Sequence, residues 1–230
     1  MSNLAESPLI WLLLTLGAYL GALYLYKRCN YNPLTLPVLS SVCAVVALLL
    51  ITGTSYETYF SGAAFLHFLI GPATVALAIP LYKQLPQLIA LWRPLGISIT
   101  IGSLTGLLSA LVISKASGAS TETIISLLPK STTMPIATAL AEYFGGQPSL
   151  TAVSVAFTGV LGSILALPLF NLLRLNDPIV RGVATGVAAH AIGTARLFQV
   201  NEAMGAFAAL AMSLTGILTA LLMPLIMPLV

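Results

Sequence analysis

Residues 128–138 read LPKSTTMPIAT and bring together one lysine, three adjacent hydroxyl side chains and two prolines. Pro129 and Pro135 each remove a backbone donor, so a helix through this segment must bend or be interrupted. The hydroxyls and the ammonium of Lys130 would then lie beside the freed backbone carbonyls. The segment therefore predicts an interrupted helix with a polar, cationic centre.

The chain around this segment has almost no charge. Hydrophobic residues make up 58% of the sequence and charged residues 7%, whereas soluble domains carry about 25% charged residues. Long stretches contain no Asp, Glu, Lys or Arg, and they lie between Arg28 and Glu57, Glu57 and Lys83, Arg93 and Lys115, Glu142 and Arg174, and after Glu202. A bilayer-spanning helix needs roughly 20 mostly apolar residues, and each stretch can hold one. The composition predicts an all-α polytopic membrane protein.

Eight hydrophobic elements are predicted. They cover about residues 8–26, 33–53, 58–83, 94–114, 121–144, 148–173, 180–198 and 203–228. Interruptions are predicted in three of them, at Gly71 and Pro72, at Pro129 and Pro135, and at Gly193. No soluble domain fits between the elements, so residues 1–230 form one membrane domain.

The sequence also repeats itself. Residues 103–111 read SLTGLLSAL and residues 213–221 read SLTGILTAL. Upstream of the two copies lie IGPA (70–73) and IGTA (192–195), each in an interrupted element. The alternative is a chance match between helices rich in Leu, Ala, Gly and Thr. The shared order of the matches favours a duplication, with repeat one at about residues 30–115 and repeat two at about 146–230.

The distribution of basic residues predicts how the repeats are oriented. Short cytoplasmic loops carry an excess of Lys and Arg, which places on that side the basic residues of the first half, Lys27, Arg28, Lys83 and Arg93. If residues 121–144 cross the membrane, Arg174 and Arg181 fall outside, against the rule. If residues 121–144 form a hairpin, both fall inside and the second repeat is inverted. Inverted repeats with broken helices are common in secondary transporters.

The first group of candidate site residues is Lys130, Ser131, Thr132 and Thr133. A lysine near the bilayer centre costs about 2.5–3.5 kcal/mol and is a functional candidate by default. A cation flanked by hydroxyls at a helix break suits a carboxylate. The alternative is that Lys130 extends to the membrane interface as an anchor, while the hydroxyls bond only to nearby carbonyls.

The second group is His190, Thr194 and Arg196. His190 and Thr194 share a helix face at i, i+4, and the guanidinium of Arg196 offers two parallel donors to a carboxylate. The alternatives are a hydrogen-bonded histidine, an interfacial arginine and small residues that serve helix packing. His190 and Glu142 are the candidate proton carriers, should transport be coupled to protons.

Other chemistry finds no support in the sequence. Cys29 and Cys43 are the only cysteines, and no spacing matches a metal site, a nucleophile elbow or a phosphate loop. The net charge of +3 comes from scattered basic residues, which do not form a nucleic-acid-binding patch. We expect no enzyme activity, no metal, no cofactor and no nucleic-acid partner.

Four motifs resemble those of the LrgB/CidB family of membrane proteins. They are LPKSTTMPIA (128–137), AAHAIGTAR (188–196), TGTSYETYFSG (52–62) and PATVALAIPLY (72–82). The resemblance implies a bacterial holin- or antiholin-like regulator of murein hydrolase activity and autolysis, usually encoded with a small LrgA/CidA membrane partner. A plant plastid relative is a glycolate/glycerate translocator, and bacterial members have been linked to pyruvate.

Two functions are therefore expected. The first is a transporter of small monocarboxylates such as glycolate, glycerate or pyruvate, which affects cell-wall hydrolases indirectly. The second is a holin- or antiholin-like regulator that transports no substrate. In both, we expect a multi-pass protein of the cytoplasmic (inner) membrane that contacts lipid, forms a homo-oligomer and has an LrgA/CidA-like partner.

Overall fold

The computed structural model describes residues 8–29, 32, 35–76 and 78–230. Every regular element in these ranges is a helix. The all-α prediction is therefore confirmed for the described residues. The predicted start of the second element at residue 33 lies outside them.

Twelve α-helices follow one another in the described ranges. In chain order they are α1 (Pro8–Arg28), α2 (Pro37–Thr52), α3 (Tyr56–Phe68), α4 (Ile70–Ala76), α5 (Ala78–Lys83), α6 (Leu85–Ala90), α7 (Trp92–Ala116), α8 (Thr121–Leu127), α9 (Met134–Tyr143), α10 (Pro148–Leu172), α11 (Pro178–Val200) and α12 (Glu202–Ile226). A short 3-10 helix, Met227–Leu229, follows α12.

Four of these described helices are long and apolar enough to cross a bilayer, namely α1, α7, α10 and α12. The predicted count of about eight spans is not confirmed. Helix α2 is apolar but has only 16 residues. The third, fifth and seventh predicted elements are divided by non-helical residues.

The third element is broken at a different place from the one predicted. Helix α3 ends at Phe68 and α4 begins at Ile70, so the break precedes Gly71 and Pro72. These two residues lie in the first turn of α4, where a missing proline N–H removes no helical hydrogen bond. Helix α6 was not predicted, because the stretch between the charged residues Lys83 and Arg93 is too short to span a bilayer.

The described residues divide into two compact units, one ending at Ala76 and the other beginning at residue 77. In the first unit, α1 packs on α2 and α3. The hydroxyl of Thr15 donates to the hydroxyl of Tyr59 at 3.2 Å, and the ring of Trp11 meets the ring of Tyr59 edge-on. The second unit holds the candidate site.

Within the second unit, α7 and α12 lie side by side and run in the same direction. Their contacts advance in step along both helices, from Ile99 and Ala211 in one buried cluster, through a hydrogen bond of 3.4 Å between Ser103 and Thr215, to Leu107 and Met223 in another cluster. The matched segments 103–111 and 213–221 are therefore parallel. The predicted inversion of element four relative to element eight is wrong.

Residues 121–144 form a hairpin, which is one of the two alternatives left open by the sequence. Helix α8 returns along the end of α7, since Ile124 and Leu128 share a buried cluster with Leu107 and Leu111. At the far end of the hairpin, the Gln147 N–H donates to the Ser126 hydroxyl at 2.7 Å. Both ends of the hairpin are therefore on the same side of the unit.

Helix α11 contains a second hairpin. His190 has φ 39° and ψ −134°, while the residues on both sides are helical. The interruption predicted at Gly193 therefore lies at His190, and Gly193 itself is helical. A Cβ on Gly193 would lie 2.7 Å from the Cγ2 of Thr185, a residue about 12 Å away along an unbroken helix. Residues 191–200 (the second arm) therefore fold back on residues 178–189 (the first arm). The reversal at His190 explains why element eight was wrongly predicted to run opposite to element four, because element seven had been counted as a full crossing.

The two hairpins enter the unit from opposite ends. The first arm of α11 runs parallel to α7, with Val187 beside Gly102 and Val183 near Leu95. The first arm runs antiparallel to α10, as shown by the pairs Arg181 with Phe170 and Ala189 with Gly162. Helices α7 and α10 consequently run in opposite directions, and each is followed by a hairpin whose tip lies near mid-helix.

The close contact of α11 with α12 provides a stability test. A Cβ on Gly186 would collide with the backbone of Ala208, whereas a Cβ on Gly96 of α7 meets open space. We expect Gly186→Ala to lower the free energy of unfolding by about 1–3 kcal/mol, because the helices must separate. Gly96→Ala should raise it by up to about 1 kcal/mol, because it removes a glycine from a helix interior. Thermal unfolding in detergent checks both, and equal effects would contradict the packing of α11 on α12.

Candidate functional site

The tip of the first hairpin, residues 128–133, is held together by its own backbone. The Lys130 N–H donates to the carbonyl of Leu127 at 3.3 Å, and the Thr132 N–H donates to that of Pro129 at 3.0 Å. The Thr132 hydroxyl donates to the same carbonyl at 3.0 Å, and Pro129 and Thr132 are fully buried. The tip is thus a fixed turn, and Thr132 is part of its framework.

The two prolines have different positions in this turn. Pro129 stands in the non-helical segment. Pro135 lies in the first turn of α9, where proline is favoured, so it begins a helix and does not interrupt one. Thr133 is the N-cap residue of α9, but its side chain makes no capping hydrogen bond.

A cavity of about 880 Å³ lies in the second unit, beside the tip of the first hairpin. Lys130 and Ser131 line it from the tip, and α7 and the first arm of α11 form most of its wall. Most of the lining is apolar or small. Its other polar members are Ser98, Thr105, Ser109, Thr158 and Asp177.

The face of α7 that lines this cavity was missed from the sequence. Its small and hydroxyl residues are Ser98, Gly102, Thr105, Gly106 and Ser109. They recur at spacings of three and four, which is the period of one helix face. That spacing was available in the sequence, but the repeat of residues 103–111 had been interpreted only as a sign of duplication.

Lys130 is the one cation that lines the cavity. Its side chain is half-buried, and no described residue gives its ammonium a hydrogen bond or an ion pair. The neighbouring Ser131 hydroxyl lies against the backbone of Gly106, where an added Cβ would be 3.5 Å away. The ammonium is therefore available to a ligand in the cavity.

The tip of the second hairpin is built differently. The ring of His190 lies on Gly159, and its Nε2 is 2.9 Å from the carbonyl oxygen of Val155. Because a carbonyl oxygen only accepts, Nε2 carries a hydrogen and donates it to this bond. The Thr194 hydroxyl donates to the His190 carbonyl at 2.7 Å. Both side chains hold the reversed backbone in place.

Arg196 is buried in the second arm, against α10. It donates through Nη1 to the backbone carbonyl of Ser163. Its Nε, the Ser163 hydroxyl oxygen and the His190 Nδ1 have no hydrogen-bond partner among the described residues. The one ion pair in the described ranges joins Lys83 and Glu202 at 2.7 Å, where both side chains are exposed. Arg196 therefore has no carboxylate partner there.

The structure divides the predicted site residues into two groups. Lys130 and Ser131 line the cavity, while Thr132 and Thr133 of the same tip do not. The second predicted group, His190, Thr194 and Arg196, also lies outside the lining. The cause is the reversal at His190, because it turns the second arm away from α7 and towards α10. Glu142 lies exposed near the end of α9, and it makes no ion pair with a described residue.

Comparison with known proteins identifies the family. The model of the LrgB-like family matches residues 15–229 of the chain. The chain belongs to the LrgB-like family. The resemblance seen in its motifs is confirmed, and the chain is a multi-pass membrane protein.

Relatives from two bacilli match along most of their length. The uncharacterized protein YxaC of Bacillus subtilis (strain 168) is 38% identical over 91% of both chains. The antiholin-like protein LrgB of Bacillus cereus (strain B4264) is 30% identical over 92% of both chains. No solved structure shows significant similarity to this LrgB-like chain.

The backbone conformation at His190 should favour glycine over alanine, which is the opposite of their order in a regular helix. Glycine normally destabilises a helix interior relative to alanine by about 0.5–1 kcal/mol. At the positive φ of His190 we expect His190→Gly to be more stable than His190→Ala by about 1–2 kcal/mol, because alanine keeps the strain. Ala191, which is helical, is the control, and Ala191→Gly should destabilise. Thermal unfolding of the three variants in detergent tests this, and an alanine variant as stable as His190→Gly would indicate a continuous helix.

Proposed function

We propose that this LrgB-like protein binds a small monocarboxylate at Lys130 and carries it across the membrane. Glycolate, glycerate and pyruvate are the substrates of this kind that the family resemblance suggests. The proposal assigns the chain no enzyme activity. The cytoplasmic membrane is its proposed location.

The observation that carries the proposal is the unpartnered Lys130 ammonium at the wall of the cavity. A lysine near the bilayer centre costs about 2.5–3.5 kcal/mol on insertion scales. An anion in the cavity would offset this cost, because a charge-assisted hydrogen bond is about twice as strong as a neutral one. A carboxylate equally needs such a partner in order to leave water.

Helix α9 adds to the attraction for an anion. It begins at Met134, directly after the tip that carries Lys130, and continues to Tyr143. The N-terminus of a helix carries a partial positive charge and free N–H groups. The Lys130 ammonium and the N-terminus of α9 therefore both favour a negatively charged ligand.

The arrangement of the hairpins supports transport. Helix α7 with the first hairpin and helix α10 with the second hairpin run in opposite directions, so the two pairs form an inverted arrangement within the second unit. Many secondary transporters bind substrate where broken helices meet near mid-membrane. This pairing replaces the predicted pairing of elements four and eight.

A second candidate is favoured by the names of the relatives. The Bacillus cereus protein is named antiholin-like, and this name supports regulation of murein hydrolase activity better than it supports carboxylate transport. In that function, the chain would act in the membrane as a homo-oligomer or with an LrgA/CidA-like small membrane protein, without a substrate. Movement of a carboxylate would also change hydrolase activity indirectly, so the two functions must be separated at the level of binding.

The first functional test removes the charge of Lys130. We expect Lys130→Met to abolish uptake of labelled pyruvate and glycolate into proteoliposomes, because the desolvated carboxylate loses its cation. Lys130→Arg should restore only part of the uptake, because a planar fork replaces a compact point charge. The matched control is Lys115→Met. Lys115 bonds to the Leu229 carbonyl at an exposed position and does not line the cavity.

Two results would favour the regulatory candidate. One is that neither acid enters proteoliposomes containing wild-type protein. The other is that Lys130→Met controls lysis of the host as well as wild type does. Either result would contradict carboxylate transport as the function.

A further test concerns proton coupling. If uptake is driven by protons, His190 or Glu142 should carry them. We expect His190→Gln or Glu142→Gln to flatten the pH dependence of uptake in proteoliposomes. Unchanged pH profiles in both variants would argue against proton transfer through these residues.

A further inference from the structure

The cavity beside Lys130 is larger than a two- or three-carbon acid requires. Its volume of about 880 Å³ lies in the range of sites that enclose drug-sized ligands, about 300–1,000 Å³. Along α7, the lining extends from Pro94 to Ser109, or roughly 20 Å at 1.5 Å per residue. The site is therefore elongated in the direction of the helices.

The two ends of the cavity carry opposite charges. Lys130 lies at the inner end, at the level of Gly106 in α7. Asp177 lies at the outer end, where α11 begins, and its carboxylate accepts the N–H of Ile179 at 2.7 Å. A ligand aligned with the cavity would meet a cation at one end and an anion at the other.

The wall between these ends is mainly apolar. It is formed by Leu95 of α7 and by Val180, Val183 and Val187 of the first arm, together with small residues. Burying a methylene group against such a wall contributes about 0.8 kcal/mol. The apolar wall thus favours a hydrocarbon chain next to the carboxylate.

We propose that the cavity takes a monocarboxylate with an extended apolar chain, its carboxylate at Lys130 and its chain directed towards Asp177. Asp177 excludes dicarboxylates of the same length, because a second carboxylate would meet a like charge. This assignment rests on the proposed carboxylate site and specifies its substrate class. Short acids occupy only the Lys130 end.

The test is a series of affinities measured by calorimetry on the full chain in nanodiscs. The probes are butyrate, hexanoate and octanoate, with suberate as the dicarboxylate of octanoate length. We expect the affinity to rise about three- to fourfold for each added methylene, and suberate to bind at least tenfold more weakly than octanoate. Asp177→Asn should lower the ratio of octanoate affinity to suberate affinity, because it removes the like charge. The helix should keep its cap, because asparagine is also a favourable N-cap residue.

A matched pair of variants separates cavity binding from partition into lipid. Ala184 and Ala195 are both exposed alanines on α11, but only Ala184 lines the cavity. Ala184→Phe should remove most of the gain from butyrate to octanoate, because the ring fills the space of the chain. Ala195→Phe should keep that gain.

The outcomes distinguish this inference from the proposed function. Equal affinities for butyrate and octanoate, both lost in Lys130→Met, would overturn the extended-chain class and leave the carboxylate site standing. A rise with chain length that persists in Lys130→Met and in Ala184→Phe would reflect partition into lipid and would overturn both. A suberate affinity equal to that of octanoate would overturn the role of Asp177.

Discussion

A bilayer offers no hydrogen bonds, so every backbone N–H and C=O at membrane depth needs a partner inside the protein or in a water-filled cavity. The second unit meets this constraint at both of its interruptions. In the first hairpin, the Thr132 N–H and hydroxyl both bond to the Pro129 carbonyl. In the second hairpin, the Thr194 hydroxyl bonds to the His190 carbonyl. Each tip is thus stabilised by its own side chains and can remain non-helical between apolar helices.

The hairpins pack closely because small residues let helix backbones approach one another. The ends of each half-helix also need partners for their free N–H and C=O groups. Gly186 allows the first arm to touch the backbone of α12, and Gly193 allows the second arm to touch the first. Asp177 and Asn201 cap the beginnings of α11 and α12 with side-chain oxygens. These contacts fix the second tip near mid-helix.

Lys130 and Arg196 of the second unit lie in different surroundings. Arg196 is buried against the carbonyl of Ser163, and this contact ties the second arm to α10. Lys130 lines a large apolar cavity without a partner among the described residues. An unpaired charge in such a place is costly, and for this reason Lys130 carries the proposed carboxylate site.

The sequence by itself determined the features that depend on local composition. Charge-free stretches established an all-α membrane protein, and the proline pair marked the first interruption. The hairpin at residues 121–144 was one of two alternatives. Four motifs along the sequence pointed to the LrgB-like family. An interruption was predicted in this element at Gly193, but the reversal at His190 was not found, because His190 stands in a helix-compatible run of alanines and its ring bonds to the Val155 carbonyl, 35 residues away. That one reversal set the direction of α12, and it separated Arg196 from Lys130. Only the tertiary structure decided these two points, because packing between distant helices can override a local preference for helix.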